Sequence, residues 1–277
     1  MKSIFISSTF KDMQAERDYL HEKIFSRLRR LAGRYGEDVQ ELDLRWGVDT
    51  YLMDEAESGY QVLRVCIDAI DRCKPYIVVL LGERYGWIPD EQLVESLRDE
   101  RLKQHYEAAM SITNLEIQYG ALSEEETLER CIFCFRNPDF IEQVPEELRS
   151  IYLSESPEHK EKLKKLKEQI RSRKNVKLLD YQVKWDESSR SVTGLEGWGE
   201  KLYQLLQELL QKELAGKEAS HPVERYILDA QCTKERYLAS YTPRLYEETQ
   251  AVNGFWFMAG DKSELYHKNK SAEELYA

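Results

Sequence analysis

The sequence has no run approaching the roughly 20 consecutive apolar residues that a membrane-spanning helix needs, so no membrane partner is expected. It also shows no basic-then-apolar leader: Lys2 is followed by a short apolar stretch and then by charge. Cysteine is sparse. The five thiols, at 66, 73, 131, 134 and 232, make no disulfide ladder, and an odd count without a secretion signal reads as reduced and cytoplasmic. Cys131-Ile132-Phe133-Cys134 has CxxC spacing, but it sits inside a strand-like run with no second pair or histidine nearby. Zinc needs about four converging ligands, so these read as structural thiols and no metal site is expected. Positive charge is in deficit: 40 Lys and Arg stand against 51 Asp and Glu, a net charge of −11. Such a balance disfavours nucleic acid and anionic membranes as partners.

What is present is a chain of 277 residues, 42% hydrophobic, enough for one large domain or one domain with an appendage. Its first half alternates strand and helix patterns. Ser3–Ser7 reads as a strand that stops on the hydroxyl turn Ser7-Ser8-Thr9. Met13 to Ala32 reads as a helix, with Leu20, Ile24, Leu28 and Leu31 at helical spacing. Val39–Leu44 is a second strand, and Ala56 to Cys73 a helix with Val62, Val65, Cys66, Ala69 and Ile70 as its stripe. Tyr76–Leu81 is a continuous apolar run, as in a strand buried on both faces of a parallel sheet. Ser111 to Leu122 reads as a helix, Arg130–Phe135 as the fourth strand and Val176–Tyr181 as the fifth. Between the last two, residues 137–156 have no clear period, and Lys160–Lys174 is a highly charged helix, either solvated or a basic contact face. Trp198 to Leu214 is amphipathic. The alternation predicts an α/β fold with a parallel five-stranded sheet over residues 1–215. Residues 216–277 read as a helical extension or linker, with a helix from Pro222 to Tyr241 and an apolar strand at Asn253–Ala259. The Lys270-Ser271 pair lacks the glycine spacing of a phosphate-binding loop.

In an open parallel sheet, ligands sit beyond the carboxyl ends of the strands, where strand order reverses. Unusual residues gather at those ends: Ser7-Ser8-Thr9 after the first strand, Arg45-Trp46-Gly47 after the second, and Gly82 to Trp87 after the third. Thr113 and Glu116 fall in the first two turns of the Ser111 helix. Each has a plain structural reading. The hydroxyls could cap the first helix, Glu16-Arg17-Asp18 could be surface charge, and Arg45 could stack on Trp46. Gly82 and Gly86 could allow tight turns, and Glu116 could be an exposed helix residue. Together they suit cleavage of an N-glycosidic bond. Glu116 would then stabilise or attack the oxocarbenium-like centre, the hydroxyl turn would hold a phosphate, and Arg45 or Arg84 would pair with its charge. Trp46, Tyr85 or Trp87 would stack a base.

These segments, FISSTFKDMQAERDYL, LDLRWGV, VVLLGERYGWIP and SITNLEIQYGAL, occur in order over about residues 3–122. They resemble a TIR-like N-terminal domain of telomerase-associated, nephrocystin-type and NACHT–WD-repeat proteins and of bacterial STAND NTPases. The resemblance implies a flavodoxin-like three-layer sandwich related to TIR domains and nucleoside deoxyribosyltransferases. It implies Glu116 as the catalytic carboxylate, within Thr113 to Gly120, and Ser7, Ser8 and Thr9 as the lining of a nucleotide pocket. The activity implied is NAD nucleosidase-type cleavage on oligomerisation, with NAD or a related nucleotide as substrate and no resident cofactor. The alternative is a non-catalytic module that self-associates through TIR-like contacts. Its other partners would be further domains of a STAND protein, and residues from about 221 would lead into a NACHT-type ATPase.

Overall fold

A computed structural model of the chain describes residues 2–44, 55–89, 105–107 and 109–215. The expectations for residues 216–277 lie outside these. Strand β1 (Lys2–Ser8) is followed by helix α1, which runs through three consecutive segments: Gln14–Tyr19, a π-wound Leu20–Phe25, and Ser26–Gly33. Next come β2 (Val39–Leu42), α2 (Glu55–Cys73) and β3 (Ile77–Leu81). Helix α3 spans Ile112–Glu116 and continues as a π-wound stretch, Ile117–Ala121. A short α4 (Glu125–Leu128) leads to β4 (Cys131–Arg136).

The aperiodic stretch after β4 is not a loop. It folds as a 3₁₀ turn, Pro138–Gln143, and helix α5 (Glu146–Tyr152). Asn137 starts the turn by accepting a hydrogen bond from the Asp139 N–H at 2.8 Å, so the order is set by side-chain capping that apolar periodicity does not reveal. Helix α6 (Pro157–Ser172) begins three residues earlier than its charge pattern suggests. Ser156 caps it by accepting from the His159 N–H, and Pro157 occupies the first turn, where a missing N–H costs nothing. The charged helix is not solvated all round, because Leu163, Leu166 and Ile170 are buried. Strand β5 (Lys177–Tyr181) completes the main sheet, and α7 (Glu196–Leu214) closes the described chain. Between them lies a hairpin absent from the sequence reading, β6 (Lys184–Asp186) with β7 (Ser191–Thr193). Its strands are three residues long, too short to give an alternation signal.

The main sheet is all parallel, in the order β2-β1-β3-β4-β5. Strands β3 and β4 are buried at every position, as a parallel sheet covered by helices requires. Alternation of side chains across the strands makes two cores. On one face, Phe5, Val79 and Phe133 pack with α2, α3 and α6. On the other, Ile6, Leu80 and Ile132 pack with α1 and α7. The fold is therefore the expected three-layer α/β sandwich. The CxxC run occupies β4 and divides between the faces, with Cys131 in the first core and Cys134 in the second. Two side chains on opposite faces of a strand cannot chelate one ion, and no group able to hold a metal occurs among the described residues.

Candidate functional site

The chain leaves β1 for β2 on one side and reaches β3 on the other. The crevice beyond the carboxyl ends of β1 and β3 is therefore the switch point where an open sheet of this order takes ligands. Three segments meet there. The end of β1 brings Ser7, Ser8 and Thr9. The segment after β3 brings Gly82 to Trp87. Helix α3 is tied to that segment because the Ile112 N–H donates to the Trp87 carbonyl at 2.9 Å. Gly86 sits at the closest approach, with φ +97°. A Cβ there would lie 2.9 Å from Thr9 Cγ2 and 3.3 Å from Thr113 Oγ1. Glycine is thus required both by backbone conformation and by space.

The alternation of β1 sends neighbouring hydroxyls to opposite faces. Ser7 points with Phe5 into the α2–α3 side and donates to Glu116 Oε2 at 2.7 Å. Glu116 is only 7% exposed. Burial pushes its carboxyl up from the ordinary range to about 7, against the opposing effects of hydrogen bonds from Ser7 and Cys66 and the charge of Arg17. Burial, then the adjacent carboxylate, pushes the Cys66 thiol well above its usual value. Cys66 is thus a donor to Glu116 and not a nucleophile. The result is a carboxyl held by a hydroxyl and a thiol, able to carry or release a proton near neutrality.

Ser8 and Thr9 serve the other face. Arg17 donates through Nε to Ser8 Oγ at 2.8 Å and through Nη2 to the Ser8 carbonyl at 3.0 Å, and it pairs with Asp43 after β2. Thr9 Oγ1 donates to Asp12. Arg136, at the end of β4, reaches back to the same turn. Its Nη1 meets the Asp12 carbonyl at 2.7 Å and Glu16 Oε1 at 2.8 Å, and its Nη2 meets Asp12 Oδ2 at 3.0 Å. The Tyr181 hydroxyl donates to Glu16 Oε1 at 3.0 Å. Burial pushes Asp12 up to about 6 despite the Arg136 charge beside it. Gly82 makes room for this cluster, since a Cβ there would lie 2.8 Å from both Arg136 Nη2 and Asp12 Oδ2.

Two structural readings are corrected here. The hydroxyl turn does not cap α1: the residue at that position is Met13, with no side-chain cap bond. Glu16 and Arg17 are not surface charge but are almost wholly buried. A signal for this was present, because Glu16 and Arg17 lie three and four residues after Met13 and before Leu20, on the stripe that faces the sheet.

The remaining predicted site residues divide. Thr113 is buried beside Gly86. Arg84 is taken up by the segment before α6. It pairs with Glu155 and donates to the Ser150 and Leu153 carbonyls at 3.3 and 3.5 Å. Tyr85 is buried and its hydroxyl accepts from Asn114 Nδ2 at 3.0 Å, which ties it to the α3 surface away from Glu116. Arg45 and Trp46 lie outside the described residues.

Residues 3–192 match the model of a family described as a domain of unknown function, DUF4062. The chain belongs to that family. Among curated relatives, telomerase protein component 1 of Mus musculus is 28% identical over 76% of this chain and 8% of its own length. A TPR repeat-containing protein of Dictyostelium discoideum is 34% identical over 60% of this chain and 10% of its own. NACHT and WD repeat domain-containing protein 2 of Homo sapiens is 36% identical over 30% of this chain and 5% of its own. The chain thus matches a tenth or less of these relatives' length. No solved structure matches it.

Within the DUF4062 region, a cleft of about 300 Å³ opens between α3 and α6, lined by Tyr85, His105, Asn114, Gln118, Lys162 and Gln169 among others. Glu116 does not line it. It occupies the sheet-facing side of α3, while Asn114 and Gln118 face α6, where Gln118 Nε2 donates to Gln169 Oε1 at 2.8 Å.

Proposed function

We propose that this chain is a TIR-like effector or signalling domain of a STAND, NACHT-type protein, and that on oligomerisation it cleaves the N-glycosidic bond of NAD or a related nucleotide. The observation that carries the reading is the buried Glu116, hydrogen-bonded to Ser7 at the switch point of a 2-1-3-4-5 parallel sheet. The NACHT and WD-repeat relatives support the setting. In the reaction, the bond between ribose C1′ and the pyridinium nitrogen breaks and its electron pair leaves with nicotinamide. The Glu116 carboxylate offsets the positive charge that develops at C1′. Water then adds at C1′ and gives its proton to that carboxylate. Ser7 and Cys66 hold the carboxylate while it acts. Thr9 and Thr113, both against Gly86, would border the ligand, Ser8 would fix the turn through Arg17, and Arg45, Trp46 and Trp87 would complete the nucleotide contacts. Arg84 stabilises the segment after β3 through Glu155 instead of meeting a phosphate.

The test is nicotinamide release from NAD by the full chain, free and fused to an oligomerising partner. Turnover is expected only in the oligomer, rising with pH through about 7 as Glu116 ionises. Glu116→Ala should reduce it by at least a hundredfold with the fold intact. Absence of release over hours at high concentration would sink the enzymatic reading. The second reading is a non-catalytic self-association module. The TPR- and WD-repeat composition of the relatives favours it, and it requires that Glu116→Ala leave assembly unchanged.

A further inference from the structure

Large hydrophobic side chains exposed to water are few among the described residues: Phe10 at 46%, Trp87 at 53% and Leu153 at 39%. They are not scattered. Phe10 follows β1, Trp87 follows β3, and Leu153 is bridged to Glu83 just after β3. All three stand at the carboxyl edge of the sheet. The two aromatic residues are the ones nearest the switch point. Thr9 and Gly86, the residues immediately before them, are in contact, as shown by the 2.9 Å that a Gly86 Cβ would have to Thr9 Cγ2. Phe10 and Trp87 therefore leave abutting backbone segments.

Both are held. The Arg17 guanidinium lies 4.8 Å from the Phe10 ring centroid, a cation–π contact from the buried side. The Trp87 carbonyl accepts from Ile112 at the start of the helix that carries Glu116. An exposed ring already fixed on one side loses little freedom when it meets a ligand, so its contact area converts efficiently into affinity. Thr9 and Thr113, two hydroxyl residues, both lie against Gly86, the residue before Trp87. Flat apolar faces flanking hydroxyls suit a planar ring joined to a sugar better than a continuous apolar protein surface.

We infer that Phe10 and Trp87 are the ring-binding residues of this crevice, and that its ligand is a nucleoside-type molecule whose planar base stacks on them. The inference rests on the nucleotide reading above and narrows it. Phe10 enters the site, and Tyr85, buried and bonded to Asn114, leaves it.

The test measures binding without turnover, using the full chain carrying Glu116→Gln. AMP and nicotinamide mononucleotide are titrated by calorimetry, with ribose 5-phosphate as the ringless control, and ligand-observed NMR locates the contact. Base protons are expected to receive the strongest transfer. Phe10→Ala and Trp87→Ala should each weaken AMP binding about tenfold while leaving ribose 5-phosphate unchanged. Trp87→Phe, which keeps a ring, should restore most of the loss, and circular dichroism of each variant checks the fold. No AMP binding by the full chain overturns the inference. So does equal loss of AMP and ribose 5-phosphate, or unchanged binding with loss of self-association, which would make the rings a protein contact. If AMP binds through the rings but native protein never releases nicotinamide, the cleavage reading fails and this one stands.

Discussion

Two buried acidic clusters flank the same strand end, and they are built in opposite ways. On the α1 side, Asp12 and Glu16 share Arg136, while Thr9 donates to Asp12 and Tyr181 to Glu16. On the α3 side, Glu116 has a hydroxyl and a thiol as its donors, with Arg17 acting on it only through its charge. The first arrangement joins β1, α1, β4 and β5 through one guanidinium. Two carboxylates there face a single guanidinium, and removing that cation leaves both uncompensated. The second spends folding energy to keep one carboxyl poised to change protonation. A paired charge network holds structure, whereas a lone carboxyl that can change protonation near neutrality is a group chemistry can use.

The largest expected effect breaks the first cluster. Arg136→Met leaves two buried carboxylates without their cation and should cost about 3–5 kcal/mol in denaturant unfolding at pH 8. A loss under about 1 kcal/mol would show that the network does not hold the fold.

The next effect separates the two clusters by pH. The Glu116 carboxyl rises from the ordinary glutamate value of 4.5 to about 7 on folding. The folded state therefore binds more protons between those values. Its contribution is fully favourable below about 4.5 and is lost as pH rises through about 7. Glu116→Gln removes that loss. It should stabilise the protein at pH 8 by on the order of 3 kcal/mol, with the gain gone at pH 4.5. Unfolding curves at the two pH values read this directly, and a pH-independent difference would contradict it.

The smallest effect tests the donor. Ser7→Ala removes the hydrogen bond to Glu116 and should cost about 1–2 kcal/mol at pH 8. The Glu116 carboxyl resonance should titrate at higher pH in that variant, and an unchanged titration would mean that Ser7 does not hold the carboxylate.

Much of the fold was legible, because the apolar run of β3 and the stripes of α2 and α7 carry periodicity directly. The hairpin β6–β7 and helix α5 were not, since short strands and side-chain-capped turns leave no period. At the candidate site, the residue types at the strand ends pointed to the edge where Ser7 meets Glu116 and where Thr9 and Thr113 meet Gly86. What the sequence could not give was direction. Ser7 and Ser8 are adjacent and chemically identical, yet one serves Glu116 and the other Arg17, and only the pleat assigns them. Arg84 looked like a free cation because Glu155 is distant in sequence and close only in the folded chain. Glu16 and Arg17 read as solvent-facing by their charge, although their spacing from Met13 and Leu20 marks the buried stripe.

Both helices that carry these acids change their winding just beyond them: Leu20–Phe25 in α1 and Ile117–Ala121 in α3 are π-wound. A π turn holds one residue more than an α turn, so it is where a helix can absorb an added residue without lengthening. Single-residue length differences among homologues should therefore fall in these two stretches, while the strands keep their length. Deleting one residue between 117 and 121 should convert that stretch to ordinary α winding and keep the chain beyond Ala121 in register, with Glu116, upstream of the cut, in place.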